Sequence, residues 1–97
     1  MAYTGDNENK RAYMAAQGAE IRKLRESSGY TCEYVASALN PENPSRDRIS
    51  KLERGISGID NYDLLRLFWF FRDAAGLQHP MVLQARKMLP AEVLRGA

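Results

Sequence analysis

Between Ser45 and Gly55 the chain gathers Arg46, Asp47, Arg48, Ser50, Lys51 and Arg54 around two aliphatic residues, Ile49 and Leu52. These side chains can recognise a partner. The planar arginine fork matches paired acceptors such as guanine O6 and N7, or phosphate oxygens. An aspartate can accept from an amino group such as cytosine N4, and serine and lysine can bond phosphates. Bond-breaking chemistry has no comparable set. Cys32 and His79 are each single in the sequence, so no cysteine or histidine metal cluster can form. There is no Ser/His/Asp set and no glycine-rich phosphate loop. Asp60 and Asp63 read as the start of a helix rather than a paired acid and base. The expectation is a non-enzyme with no cofactor and no metal.

The elements that position these residues read as helices. No stretch keeps a two-residue alternation, and no turn dipeptide separates strand-like runs. The residues through about Gly5 read as frayed, and Asp6 or Asn7 as the cap of a helix through "ENKRAYMAAQ" that Gly18 either interrupts or joins at a cost of about 1 kcal/mol. "AEIRKLRESS" carries Ile21 and Leu24 inward, and Gly29 ends it. Thr31 caps "YTCEYVASAL", whose inward stripe is Val35, Ala36 and Leu39, and Asn40 with Pro41 stops it. Ser45 caps a short helix to Glu53, with Ile49 and Leu52 on one face, expected to anchor against Val35, Leu39 and Leu64. Gly55 closes it. Asp60 caps "NYDLLRLFWFFRDAA", which stops at Gly76. Pro80 opens "PMVLQARKML", capped by His79, and Pro90 breaks it or starts a last turn.

Composition sets the outer bounds. A chain of 97 residues with 44% hydrophobic and 27% charged residues supports one modest core. The net charge of +2 does not by itself demand a nucleic-acid partner. The positive residues are local instead: Lys10, Arg11, Arg22, Lys23 and Arg25 face only Glu20, and Arg46, Arg48, Lys51 and Arg54 outnumber Asp47 and Glu53. No apolar run approaches the roughly 18 residues of a membrane helix, and the N-terminus has no apolar core of a signal peptide. A reduced cytoplasmic setting, close to the nucleoid, is expected.

Two short helices joined by a turn, the second polar on its outside, make a helix-turn-helix. The segments "IRKLRESSGYT", "VASAL", "SRDRISKLERG" and "DNYDLLRLF" resemble, in order and spacing, the lambda-repressor-like, Cro-type (XRE) helix-turn-helix family, over about half of the chain. The resemblance implies an all-α bundle of four to five helices, with an N-terminal extension (1–17), a DNA-binding domain (18–76) and a C-terminal helical segment (77–97). It implies a sequence-specific regulator of transcription, most simply a repressor whose occupied operator excludes polymerase. The link "NPENP" is longer than the family's usual turn. Cys32 stands where a phosphate-binding glutamine is common, and "ISG" replaces a basic loop.

The same resemblance assigns roles. Arg46, Asp47, Ser50 and Lys51 would read bases, because the start of the second helix of this motif faces base edges. Arg22, Lys23, Thr31, Cys32, Ser45, Arg48, Arg54 and Ser57 would touch the DNA backbone. Arg25 and Glu53 would clamp the first helix to the third as a structural ion pair. Each has a plainer reading: Arg46 and Arg48 as a solvated face, Asp47 as a charge complementing the helix dipole, Cys32 as a passive thiol, and Tyr30 and Tyr34 as packing.

"LFWFF" adds a further expectation. Leu64, Leu67 or Phe68, Phe71 and Ala75 complete an inward stripe, while Leu65, Trp69 and Phe70 fall on other faces and must be covered. The last helix, through Val82, Ala85, Met88 and Leu89, and a second subunit together would supply that cover. A homodimer interface is expected at Trp69, Phe70, Val82, Leu83, Met88 and Leu89. Two copies would read half-sites about 34–36 Å apart on double-stranded DNA. The alternative from another class is a helical protein-interaction module, such as an antitoxin. An enzyme-associated specificity subunit is more distant.

Overall fold

A computed structural model describes residues 3–96. Among the described residues seven helices follow one another: α1 (Tyr3–Ser27), α2 (Cys32–Leu39), α3 (Arg46–Glu53), α4 (Asn61–Phe70), α5 (Arg72–Ala75), α6 (Pro80–Met88) and α7 (Ala91–Gly96). Among the described residues there is no strand. The fold is all-helical, as the absence of two-residue alternation implies.

Short polar side chains set the helix starts. Thr31 Oγ1 accepts from the Tyr34 amide at 3.1 Å, Ser45 Oγ from Arg48 at 3.1 Å, and Asp60 Oδ1 from Asp63 at 2.8 Å. Each satisfies an amide that the first helical turn leaves without a partner. His79 Nδ1 does the same for Met81 at 3.0 Å ahead of Pro80. Gly29, Gly55 and Gly76, each just past a helix, have positive φ.

The first helix differs from its expected form. Residues 1 and 2 lie outside the described residues, but Tyr3 to Gly5 are helical, so Asp6 and Asn7 lie inside α1 and do not cap it. The helix also runs unbroken through Gly18. Tertiary packing decides this against local propensity. A Cβ at Gly18 would stand 2.3 Å from the Leu52 carbonyl oxygen and 2.6 Å from that of Glu53. Only a residue without a side chain lets α1 cross the end of α3 at backbone distance. Gly55 faces the same crossing: its φ is +74°, and a Cβ there would lie 2.8 Å from the Ala15 Cα.

Ile21, Leu24, Val35, Ala36, Leu39, Ile49, Leu52, Leu64, Leu67, Phe68, Phe71 and Val82 form one continuous core drawn from α1, α2, α3, α4 and α6. Burial of each large aliphatic side chain contributes about 1.5–3 kcal/mol relative to exposure. Leu65, Ala85 and Leu89 form a second, smaller cluster against Trp69, Met81, Val93 and Leu94.

Two corrections follow from this packing. The helix expected from Asn61 to Ala75 is divided at Phe71, whose ψ of 16° turns the chain. The turn seats the Phe71 ring at 1% exposure, and the Arg72 guanidinium donates to the Trp69 carbonyl at 2.8 Å beside the break. Second, Val82 at 1% and Leu89 at 7% exposure are interior residues of one chain, not part of a dimer surface. Helix α7 folds back on α4, and the Trp69 indole N–H donates to the Leu94 carbonyl at 3.0 Å. The chain thus covers Leu65, and part of Trp69, with its own C-terminal segment. Leu83 and Met88 stay exposed, and Phe70 is half-buried against Tyr30 and Tyr34.

Candidate nucleic-acid interface

Helix α3 turns Ile49 and Leu52 into the core and leaves Arg46, Asp47, Lys51 and Arg54 exposed. Its N-terminal end meets α2: Arg46 Nε lies 3.1 Å from Glu33 Oε2, with both side chains about two-thirds exposed at 70% and 65%. Asp47 and Lys51 pair one turn apart at 3.0 Å. Pairs exposed to this degree contribute about 0–1 kcal/mol, so an incoming partner can displace them at little cost. Ser50 is half-buried, and its carbonyl accepts from Arg54 Nε at 3.3 Å.

The C-terminal end of α3 is fixed instead. Arg25 donates to both Glu53 oxygens, through Nε to Oε2 and through Nη2 to Oε1 at 3.0 Å. Nη1 donates to the Tyr30 carbonyl at 2.9 Å. The side chains are 14% and 6% exposed. This is a forked, charge-assisted pair largely removed from water. The hydrogen bonding of Arg25 to the Glu53 carboxylate raises the Arg25 pKa above its ordinary value, against the opposing effect of burial.

Arg48 is placed differently from a simple phosphate contact. Its Nη2 pairs with Asp63 Oδ2 at 2.9 Å, and Arg66 Nη1 takes the other oxygen at 3.0 Å. One carboxylate on α4 thereby holds a guanidinium from α3 and one from α4. Nothing in the local sequence signals this arrangement, because residues 48 and 63 meet only through the packing of α3 on α4.

The other expected backbone contacts are scattered over α1, α2 and the loop after α3. Arg22 and Lys23 sit on the exposed face of α1, with Arg22 bonded to Glu26 at 3.2 Å. Thr31 and Ser45 use their oxygens as helix caps, which leaves their hydroxyl hydrogens as donors. The Ser57 amide turns back to the Lys51 carbonyl at 3.4 Å. Cys32 opens α2 and packs against the core. Burial, and then the negative charge of Glu53, push its thiol pKa up, so it stays protonated at neutral pH.

The link from Asn40 to Pro44 is exposed throughout. The Asn43 amide donates to Asn40 Oδ1 at 3.3 Å and closes a small turn. Behind it lies a recess of about 160 Å³ between α2 and α3, bordered by Asn43, Ser45 and Arg48.

No family model, curated protein or solved structure matches this chain. Among the described residues, no group of three or more His, Cys, Asp or Glu side chains could hold a metal ion. None of their helices is long and apolar enough to cross a membrane.

Proposed function

We propose that the protein is a sequence-specific, double-stranded DNA-binding regulator of the lambda-repressor-like, Cro-type helix-turn-helix kind, acting as a homodimer. The observation that carries this is the division of α3. Its inner face and C-terminal end are fixed by Ile49, Leu52 and Glu53, while Arg46 and Asp47 face solvent at its N-terminal end and Lys51 lies exposed on the outer face in the last turn. A major groove about 12 Å wide admits one such helix, end first, with its leading side chains at base edges. Arg46 pairs with guanine, Asp47 with cytosine, and Lys51 meets a base edge one turn further along the helix. Arg22, Lys23 and the N-terminal end of α2 meet the DNA backbone on either side. An occupied operator would exclude polymerase sterically. With Val82 and Leu89 buried inside the chain, the apolar residues left for pairing are the exposed Leu83 and Met88 of α6 and the half-buried Trp69 and Phe70 of α4.

Selection of bound sequences from a random duplex library, followed by titration at several salt concentrations, tests the reading. The expected result is an enriched palindrome whose affinity falls with salt. A chain that enriches no sequence and shows no salt-sensitive duplex binding would sink it. That outcome would favour a protein-interaction module, for which the exposed Tyr34, its ring tilted against that of Tyr30 at 4.8 Å between centroids, offers a surface.

A further inference from the structure

Where the end of α2 meets α4 and α7, a cleft of about 390 Å³ opens to solvent. Leu39, Tyr62, Leu67, Trp69 and Phe70 give it apolar and aromatic walls, and Arg66 is the one charged residue among those lining it. This volume lies at the small end of ligand sites, and apolar walls with one or two placed polar groups are their usual composition.

Arg66 is held in place but not neutralised. Its Nη1 bonds Asp63 at 3.0 Å, its Nη2 reaches the Ala38 carbonyl at 3.5 Å, and its guanidinium lies 5.5 Å from the Tyr62 ring centroid. Asp63 also serves Arg48, so one negative charge faces two positive ones. The surplus is positive and sits beside an apolar wall. A guanidinium has five donors, and two are used in these contacts, so an incoming carboxylate finds N–H groups to accept from.

We propose that this cleft binds a small apolar monocarboxylate, with its ring or chain against Trp69 and Leu67 and its carboxylate on Arg66. The size admits one ring system with a short acid arm. The charge excludes an amine. Occupancy would act on the helix pair that the proposed DNA-binding function uses. Arg66 touches the last turn of α2 at Ala38 and, through Asp63, reaches Arg48 on α3. A carboxylate drawing on Arg66 therefore shifts the strength with which α4 holds both helices, and with it operator affinity. This regulatory part rests on the DNA-binding reading; the site itself does not.

The test uses the full chain and its single tryptophan, Trp69, which lines the cleft and reports occupancy by fluorescence. Cyclohexylacetate, cyclohexylacetamide and 2-cyclohexylethylamine share an apolar body, differ in charge and do not absorb with indole. The expected result is saturable quenching or shift with the acid, binding about tenfold weaker for the amide (a factor of ten is about 1.4 kcal/mol), and no response to the amine. Arg66→Gln should remove the preference for acid over amide, and Arg66→Lys should keep part of it. If Arg66→Gln does not fold by circular dichroism, the three-probe series on the unaltered protein and on Arg66→Lys still decides. No saturable signal, equal binding of acid and amide, or preference for the amine overturns the site. Operator affinity with and without cyclohexylacetate then tests regulation. Acid binding in a chain that binds no duplex would refute the DNA reading and leave the site standing.

Discussion

Two arginine–glutamate pairs join α3 to its neighbours, one at each end. Arg25 and Glu53 tie its C-terminal end to α1 with side chains 14% and 6% exposed, and Arg46 and Glu33 tie its N-terminal end to α2 with side chains 70% and 65% exposed. The residue types are the same and the environments are opposite. In the first pair the charges are mostly desolvated, and each depends on the other. In the second, water already satisfies both partners, so the bond can open without penalty. The comparison separates the part of α3 that determines its position from the part left available to bind something.

The largest effect expected on that contrast is at the buried pair. Arg25→Ala, which strands Glu53, should lower stability by about 3–5 kcal/mol in chemical denaturation. The matching change Glu33→Ala should stay within about 0.5 kcal/mol of the unaltered protein. Equal losses at the two ends would erase the distinction. Gly18→Ala sharpens it further, since the new methyl group would meet the backbone of Leu52 and Glu53. A loss of about 1–3 kcal/mol is expected from overpacking, read by thermal unfolding. Arg46→Ala should leave stability unchanged but cost about 1–3 kcal/mol in operator affinity and relax one base position, measured by competition with substituted duplexes. An unaltered preference would mean that α3 sits in a different register. Deleting Glu42 and Asn43 should weaken DNA binding more than it lowers the melting temperature, because the link is exposed. The smallest effect concerns Cys32. Its raised pKa should make alkylation by iodoacetamide at pH 8 slower in the folded chain than in denaturant, followed by mass spectrometry.

The features legible in the sequence were those with local causes. Thr31, Ser45 and Asp60 mark helix starts because the capping bond spans three residues, and Gly29, Gly55 and Gly76 mark ends because the required φ is positive. The pairing of Arg25 with Glu53 came through the family resemblance, not from either residue's neighbours. What stayed hidden is non-local. Gly18 looks like a weak point until α3 is seen lying against it, and Asp63 looks like a first-turn charge until Arg48 and Arg66 converge on it. Val82 and Leu89, expected on an interface between two copies, are buried within the chain, and the cause is again non-local. An apolar stripe shows that a face must be covered but not whether the cover comes from the same chain, and here α6 and α7 supply it.

Helix α1 has 25 residues, and among residues 7–27 the first buried position is Gly18. At about 1.5 Å per residue, the turns before that glycine form an arm of roughly 20 Å. The Gly18 and Gly55 crossing is its fulcrum, and a tilt there of about 10° would carry the tip roughly 4 Å by simple geometry. Lys10 and Arg11 ride on the exposed surface of this arm, ahead of the crossing. They lie only about 10–12 Å from it at about 1.5 Å per residue, so the same tilt would move their charges roughly 2 Å, which is more than half of the roughly 3.4 Å axial rise between phosphates on one DNA strand. The reach of the arm, and not only the number of charges on it, would set which stretch of a long anionic partner they meet.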